Sequence, residues 1–173
     1  MHLLCEDKIL LTFESVQSKY AILTATLIEK GLTISTMESC TSGLVASLLT
    51  DIDGASNATK GSFVTYSNEA KISCGVPAEV IDKYGVYSKE TAAEMAKNCR
   101  PPYAANIGVG VTGSLGITDP NNSGSVPGQV YFAIDYEGKV TDFFLEVDNQ
   151  GSKFLNKVYV ADKICDELLK LLK

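Results

Sequence analysis

Apolar and polar positions along the chain follow two rhythms, and the switches between them mark the elements. Residues 14–30, ESVQSKYAILTATLIEK, bring Val16, Tyr20, Leu23, Leu27 and Ile28 to one face at helical spacing. Gly31 stands where such a helix ends in a left-handed residue. LTISTM (32–37) is short and β-branched, which predicts a strand. After the polar turn ESCTSG, helical spacing resumes over LVASLLTDI (44–52). DGASNATKG (53–61) reads as loop and SFVTYS (62–67) as a second strand. NEAKIS then begins a short helix with Asn68 as its cap.

The second half continues in the same alternation. VPAEVIDKYG (76–85) predicts a short helix opening after Pro77 and closed by Gly85. SKETAAEMAKNC (88–99) predicts another, capped by Ser88, with Glu90 favourably placed in its first turn. NIGVGVTG (106–113) is strand-like, and residues 114–128 form a loop too long for a compact domain without a purpose. Residues 129–147 read as a hairpin turning at Glu137–Gly138. The last segment, from Ser152, aligns Phe154, Val158, Ala161, Ile164 and Leu168 on one helical stripe. No repeat or linker divides the chain. The expected architecture is α/β, a single three-layer α/β/α sandwich over 1–173 whose mixed sheet contains an antiparallel hairpin, with 1–13 as an N-terminal extension.

Composition narrows the function classes. The 173 residues are 45 % hydrophobic and 21 % charged, with a net charge of −6 from 21 acids against fourteen lysines and Arg100. An acidic surface without a basic patch repels phosphate backbones, so no nucleic-acid partner is expected. The longest apolar run, YAILTATLI (20–28), is too short for a bilayer, and Glu6 and Asp7 interrupt any signal-peptide core. No membrane association and a cytoplasmic location are therefore expected. Cysteines 5, 40, 74, 99 and 165 are odd in number and lack zinc-site spacing, which suits reduced thiols.

The chemistry-bearing stretches are MESCTSG (37–43) and YSNEAK (66–71). They supply hydroxyls, a thiol, a phenol and an amine, while the one histidine, His2, sits at the chain start. The pair YSNEAK has the wrong spacing for a short-chain dehydrogenase, and ATKGS (58–62) lacks the first glycine of a P-loop. Taken singly, Ser39, Thr41 and Ser42 read as ordinary helix caps, Lys71 as a solvated lysine and Tyr66 as a half-buried aromatic. Asp119 reads as a turn residue, and Glu38 and Glu69 either as supports for Lys71 and the backbone or as exposed acids.

Taken together and in order, MESCTSG, FVTYSNEAK, GVYSKETAAEMA and GVTGSLGITDPNNSGSVPGQVYFAI change that picture. From about Glu14 to the last helix the chain resembles the CinA C-terminal domain family, nicotinamide-nucleotide amidohydrolases linked to competence- or damage-inducible proteins. The resemblance implies a stand-alone, homodimeric domain without metal or cofactor that converts nicotinamide mononucleotide to nicotinic acid mononucleotide and ammonia. Three departures stand out: CTSG where the family has CTGG, SLGITDPNNSG in place of its GPDGG loop, and Lys153 and Lys157 where many relatives carry an arginine.

Amide hydrolysis needs an activated nucleophile, a proton donor for ammonia and oxyanion donors. Ser39, at a strand-to-helix turn, is the expected nucleophile, and Cys40 the competing one. Lys71, with its pKa lowered by burial, is the expected base, since it follows a neighbouring parallel strand and open α/β sheets bind ligands at such strand ends. Tyr66 is expected to hydrogen-bond that amine or relay its proton. The N–H groups of Cys40, Thr41, Ser42 and Gly43 are expected to face outward as an anion cradle, with Asn68, Thr112 and Gly113 completing the substrate cleft. The alternatives are a nucleotide-binding or regulatory module without turnover, and an amidase acting on another small amide.

Overall fold

A computed structural model of the chain describes residues 11–122 and 124–173. His2 and Cys5 therefore lie outside the described residues. The elements run α1 (Phe13–Lys30), β1 (Ile34–Glu38), α2 (Leu44–Leu49), β2 (Thr59–Val64), α3 (Asn68–Ser73), α4 (Ala78–Tyr84), α5 (Lys89–Cys99), β3 (Ile107–Gly113), β4 (Gln129–Tyr136), β5 (Lys139–Glu146) and α6 (Lys153–Leu171). Capping explains the helix starts. Thr12, Ser67, Ser88 and Ser152 each accept an N–H from the first turn of α1, α3, α5 and α6.

The five strands form one open sheet in the order β2-β1-β3-β4-β5. β1 pairs in parallel with both β2 and β3, and the β3–β4 and β4–β5 pairings are antiparallel. The hairpin turns on Glu137 and Gly138, both at positive φ, as a two-residue turn between twisted strands requires.

Period-two alternation along the strands divides the core. Ile34, Ile107, Val109 and Val111 face α1, α2 and α6, and join Tyr20, Leu23, Leu27, Ile164 and Leu168 in the larger cluster. Met37 faces the other way, into a smaller cluster with Val86, Met95 and Cys99. Helix α5 packs over the sheet centre at close range because Gly108 and Gly110 carry no side chain beneath it. A Cβ at Gly110 would lie 2.3 Å from the carbonyl oxygen of Ala92 and 2.5 Å from the nitrogen of Ala96. The molecule is the expected three-layer α/β/α arrangement around a mixed sheet.

Differences from the expected elements are local. β2 starts at Thr59 and ends at Val64, earlier than the expected 62–67. Its first residues are selected by pairing with Ile34 and Ser35, which carries no sequence pattern of its own. The cap of α3 is Ser67 rather than Asn68, which frees the Asn68 side chain.

Replacing Gly110 by alanine is expected to destabilise the fold by about 3 kcal/mol, because the atoms it meets are backbone and cannot rotate away. Chemical denaturation of the variant measures this directly.

Candidate active site

The parallel strands β1, β2 and β3 all end at one edge of the sheet. The chain leaves β1 for β2 on one side through α2, and reaches β3 on the other side through α3 to α5. This is the switch point at which open α/β sheets form a crevice. Residues 114–122, which follow β3, and Lys153, at the start of α6, lie at the same edge. The cavity there has a volume of about 630 Å³ and is bordered by Ser39, Lys71, Tyr66, Tyr87, Asp119 and Lys153, among others.

Glu38, the last residue of β1, builds the turn that presents Ser39. Its side chain points under α2 and is fully buried. The carboxylate accepts from Thr36 Oγ1 (3.2 Å), Thr41 Oγ1 (2.7 Å) and the N–H groups of Gly43 (3.0 Å), Val45 (3.1 Å) and Ala46 (2.8 Å). The positive end of α2 is thus neutralised from inside the protein. The expected outward cradle is reduced accordingly. Gly43 donates inward to Glu38, and Ser42 donates to the Ser39 carbonyl. Of that turn, the N–H groups of Cys40 and Thr41 have neither a backbone acceptor nor the Glu38 carboxylate among the described residues.

The Ser39 N–H is fixed on the Val111 carbonyl (3.0 Å), which aims the hydroxyl across the strand ends. Lys71 Nζ lies 3.1 Å from Ser39 Oγ and donates to the carbonyl of Thr65 at 2.8 Å. Lys71 is only 1 % exposed. Burial disfavours the ammonium and lowers its pKa to about 8, although the surrounding Cys40, Asp119 and Glu69 pull in the opposite direction. Burial, reinforced by the Glu38 carboxylate, pushes the Cys40 thiol up to about 12, so Cys40 is a poor source of thiolate.

Tyr66 does not meet Lys71. It is 63 % exposed, and its hydroxyl lies 3.5 Å from Lys153 Nζ instead. The partner of the amine on that side is the Thr65 carbonyl, because alternation at the strand end turns residue 66 outward. Thr112 is fully buried and donates to the Val86 carbonyl (2.9 Å), locking the segment before α5 rather than lining the cavity. Thr41, Ser42 and Gly43 also lie outside the cavity wall, whereas Cys40, Asn68 and Gly113 border it. Ser42 sits at φ +54, a conformation that favours glycine, and its Oγ receives a hydrogen bond from Lys157 (3.1 Å).

A family model described as the CinA C-terminal domain matches residues 16–172. The chain belongs to this family. A Clostridium acetobutylicum relative with a competence-damage inducible name is 41 % identical over 153 residues, which is 87 % of this chain and 37 % of the relative. A CinA-like protein of Kosmotoga olearia is 38 % identical over 144 residues, covering 82 % of this chain and 35 % of its own. The chain thus spans about a third of the length of the curated relatives it matches. Among solved structures, a competence/damage inducible protein from Agrobacterium tumefaciens superposes with a TM-score of 0.82 at 29 % identity, covering 91 % of this chain and 96 % of the other. A competence or damage-inducible protein from Enterobacter asburiae gives 0.84 at 26 %, covering 91 % and 98 %.

Within this CinA domain, Glu38 takes the backbone-supporting role of its two expected readings. Lys153 stands in the segment where many relatives are expected to carry an arginine, and Thr65 and Tyr87 are site residues that the sequence reading does not name. Glu38 carried a usable signal: an acid on the inward face of a buried strand must find donors. Among the described residues no helix is long and apolar enough to cross a membrane, and no cluster of His, Cys, Asp and Glu is arranged to hold a metal.

The buried amine has a stability signature. With a folded pKa near 8 and an unfolded value of 10.5, the unfolded chain binds the extra proton between those pH values. Lys71 therefore costs roughly 3 kcal/mol below pH 8, and that cost fades as pH rises towards 10.5. Lys71→Met is expected to be more stable than wild type at pH 7, with the gap narrowing by pH 10 in denaturant titrations. A gap independent of pH would contradict a lowered folded pKa.

Proposed function

We propose that this protein hydrolyses the carboxamide of nicotinamide mononucleotide, releasing ammonia and nicotinic acid mononucleotide, with Ser39 as nucleophile and Lys71 as base. The observation that carries the reading is the 3.1 Å contact between a buried lysine amine and a serine hydroxyl at the wall of a nucleotide-sized cavity. The CinA family includes amidohydrolases, which supports the reaction class.

The proposed sequence uses groups with defined positions. Neutral Lys71 accepts the Ser39 proton as Oγ attacks the amide carbon. The Thr65 carbonyl keeps Nζ on the hydroxyl while the charge forms, since the resulting ammonium retains that acceptor. The N–H of Cys40, next to the nucleophile and without a backbone acceptor among the described residues, is the candidate oxyanion donor. The Lys71 ammonium then gives its proton to the departing nitrogen, and ammonia leaves an ester on Ser39. Water, deprotonated by the same amine, opens the ester and restores both residues. Lys153, an exposed cation on the cavity wall, is the candidate phosphate contact.

Ammonia release from nicotinamide mononucleotide is expected to fall at least about 1,000-fold in Ser39→Ala and in Lys71→Ala, and the double variant to be no worse. The wild-type kcat/KM is expected to rise with unit slope up to about pH 8 and then level off. Wild-type binding of the nucleotide without ammonia release would favour a binding module. An active Ser39→Ala would remove the proposed nucleophile.

A further inference from the structure

The proposed hydrolysis uses neither carboxylate of the cavity wall, Glu69 nor Asp119. Asp119, on the long loop, accepts from the Tyr87 hydroxyl (2.6 Å), from Asn122 Nδ2 (2.6 Å) and from the N–H of Asn121 (2.9 Å). Its own N–H donates to Ser125 Oγ at 2.6 Å. Asn122 Oδ1 in turn accepts from Asn68 Nδ2 (3.2 Å), which joins the loop to the start of α3. A turn residue needs one such bond; Asp119 is the centre of a network.

Two features point from that network to a ligand. Asp119 and Tyr87 border the same cavity as Ser39 and Lys71, so an acid and an aromatic residue share the cavity that would take the carboxamide. Asp119 also forms no ion pair with a lysine or arginine among the described residues, although its charge is felt at the Lys71 amine. The other acid on this wall, Glu69, is engaged with Ser67 and its own backbone at the start of α3. The three donors hold the Asp119 carboxyl below the usual range, so it stays charged.

We propose that Tyr87 and Asp119 form a cation-selecting wall that admits carboxamides carried on a positively charged, N-substituted pyridinium ring and disfavours the same amide on a neutral ring. This rests on the nucleotide reading above and adds to it the residues that choose the charge state of the ring. A pyridinium gains from the fixed carboxylate and from the face of the Tyr87 ring. A neutral dihydropyridine keeps its carboxamide, ribose and phosphate yet gains neither.

Calorimetric titration of Ser39→Ala with nicotinamide mononucleotide and with its reduced dihydro form separates ring charge from turnover. The oxidised nucleotide is expected to bind about tenfold tighter than the reduced one. Adding Asp119→Asn keeps an acceptor for Tyr87 but removes the charge, and is expected to shrink that preference to within about twofold by weakening only the oxidised ligand. Adding Asn122→Ala instead cuts the loop's bridge to Asn68 and leaves the charge, so the preference is expected to survive. Equal weakening of both ligands by Asp119→Asn, or an Asn122→Ala that erases the preference, would overturn the proposal and reduce Asp119 to a loop support. Binding of neither nucleotide to Ser39→Ala would instead bring down the substrate reading on which the proposal rests.

Discussion

An amine withdrawn from water and set against a hydroxyl is the interaction around which this molecule is arranged. Neither group is reactive in isolation: a solvated lysine is an ammonium at neutral pH, and a serine hydroxyl holds its proton. Burial of Lys71 moves the first towards neutrality, and the Thr65 carbonyl keeps it pointed at Ser39. That placement is costly for a domain of this size. The core clusters on the two faces of the sheet supply the stability that offsets it.

The fold brings the pair together through strand order. Ser39 follows β1 and Lys71 lies in α3, which follows β2, and parallel pairing of those strands makes their ends adjacent. Glu38 completes the arrangement from below. By absorbing the N–H groups at the start of α2, its carboxylate fixes the Ser39 turn and leaves the helix terminus with little attraction for an anion from outside. Lys153, at the start of α6, is an exposed cation on the cavity wall at this edge. Glycine-free occupation of the left-handed position at Ser42 shows that this chain tolerates some strain beside its nucleophile.

Much of this was legible in the residues. Helices whose caps and stripes agree, such as α5 with Ser88 and α6 with Val158, Ala161, Ile164 and Leu168, stand close to the expected boundaries. The Glu137–Gly138 turn is visible because few residue pairs suit two successive positive φ values. β2 was misplaced because its opening residues, Thr59 to Gly61, owe their extension to β1 rather than to any pattern of their own. The proximity of Ser39 and Lys71 followed from the strand-end argument, whereas the separation of Tyr66 from Lys71 depended on which way one side chain turned at a strand terminus. Asp119 reads as a turn residue because its partner Tyr87 lies 32 positions away in the chain, and Asn68 reaches it only through Asn122.

The protonation state of Lys71 is the quantity on which the account turns. Nuclear magnetic resonance titration of selectively labelled lysine, with Lys71 assigned by its loss in Lys71→Met, reads it without any substrate. A midpoint near pH 8, well apart from the other lysines, is the predicted result. A midpoint at the ordinary lysine value would mean that the amine beside Ser39 is an ammonium throughout the physiological range, and the hydroxyl would have no base.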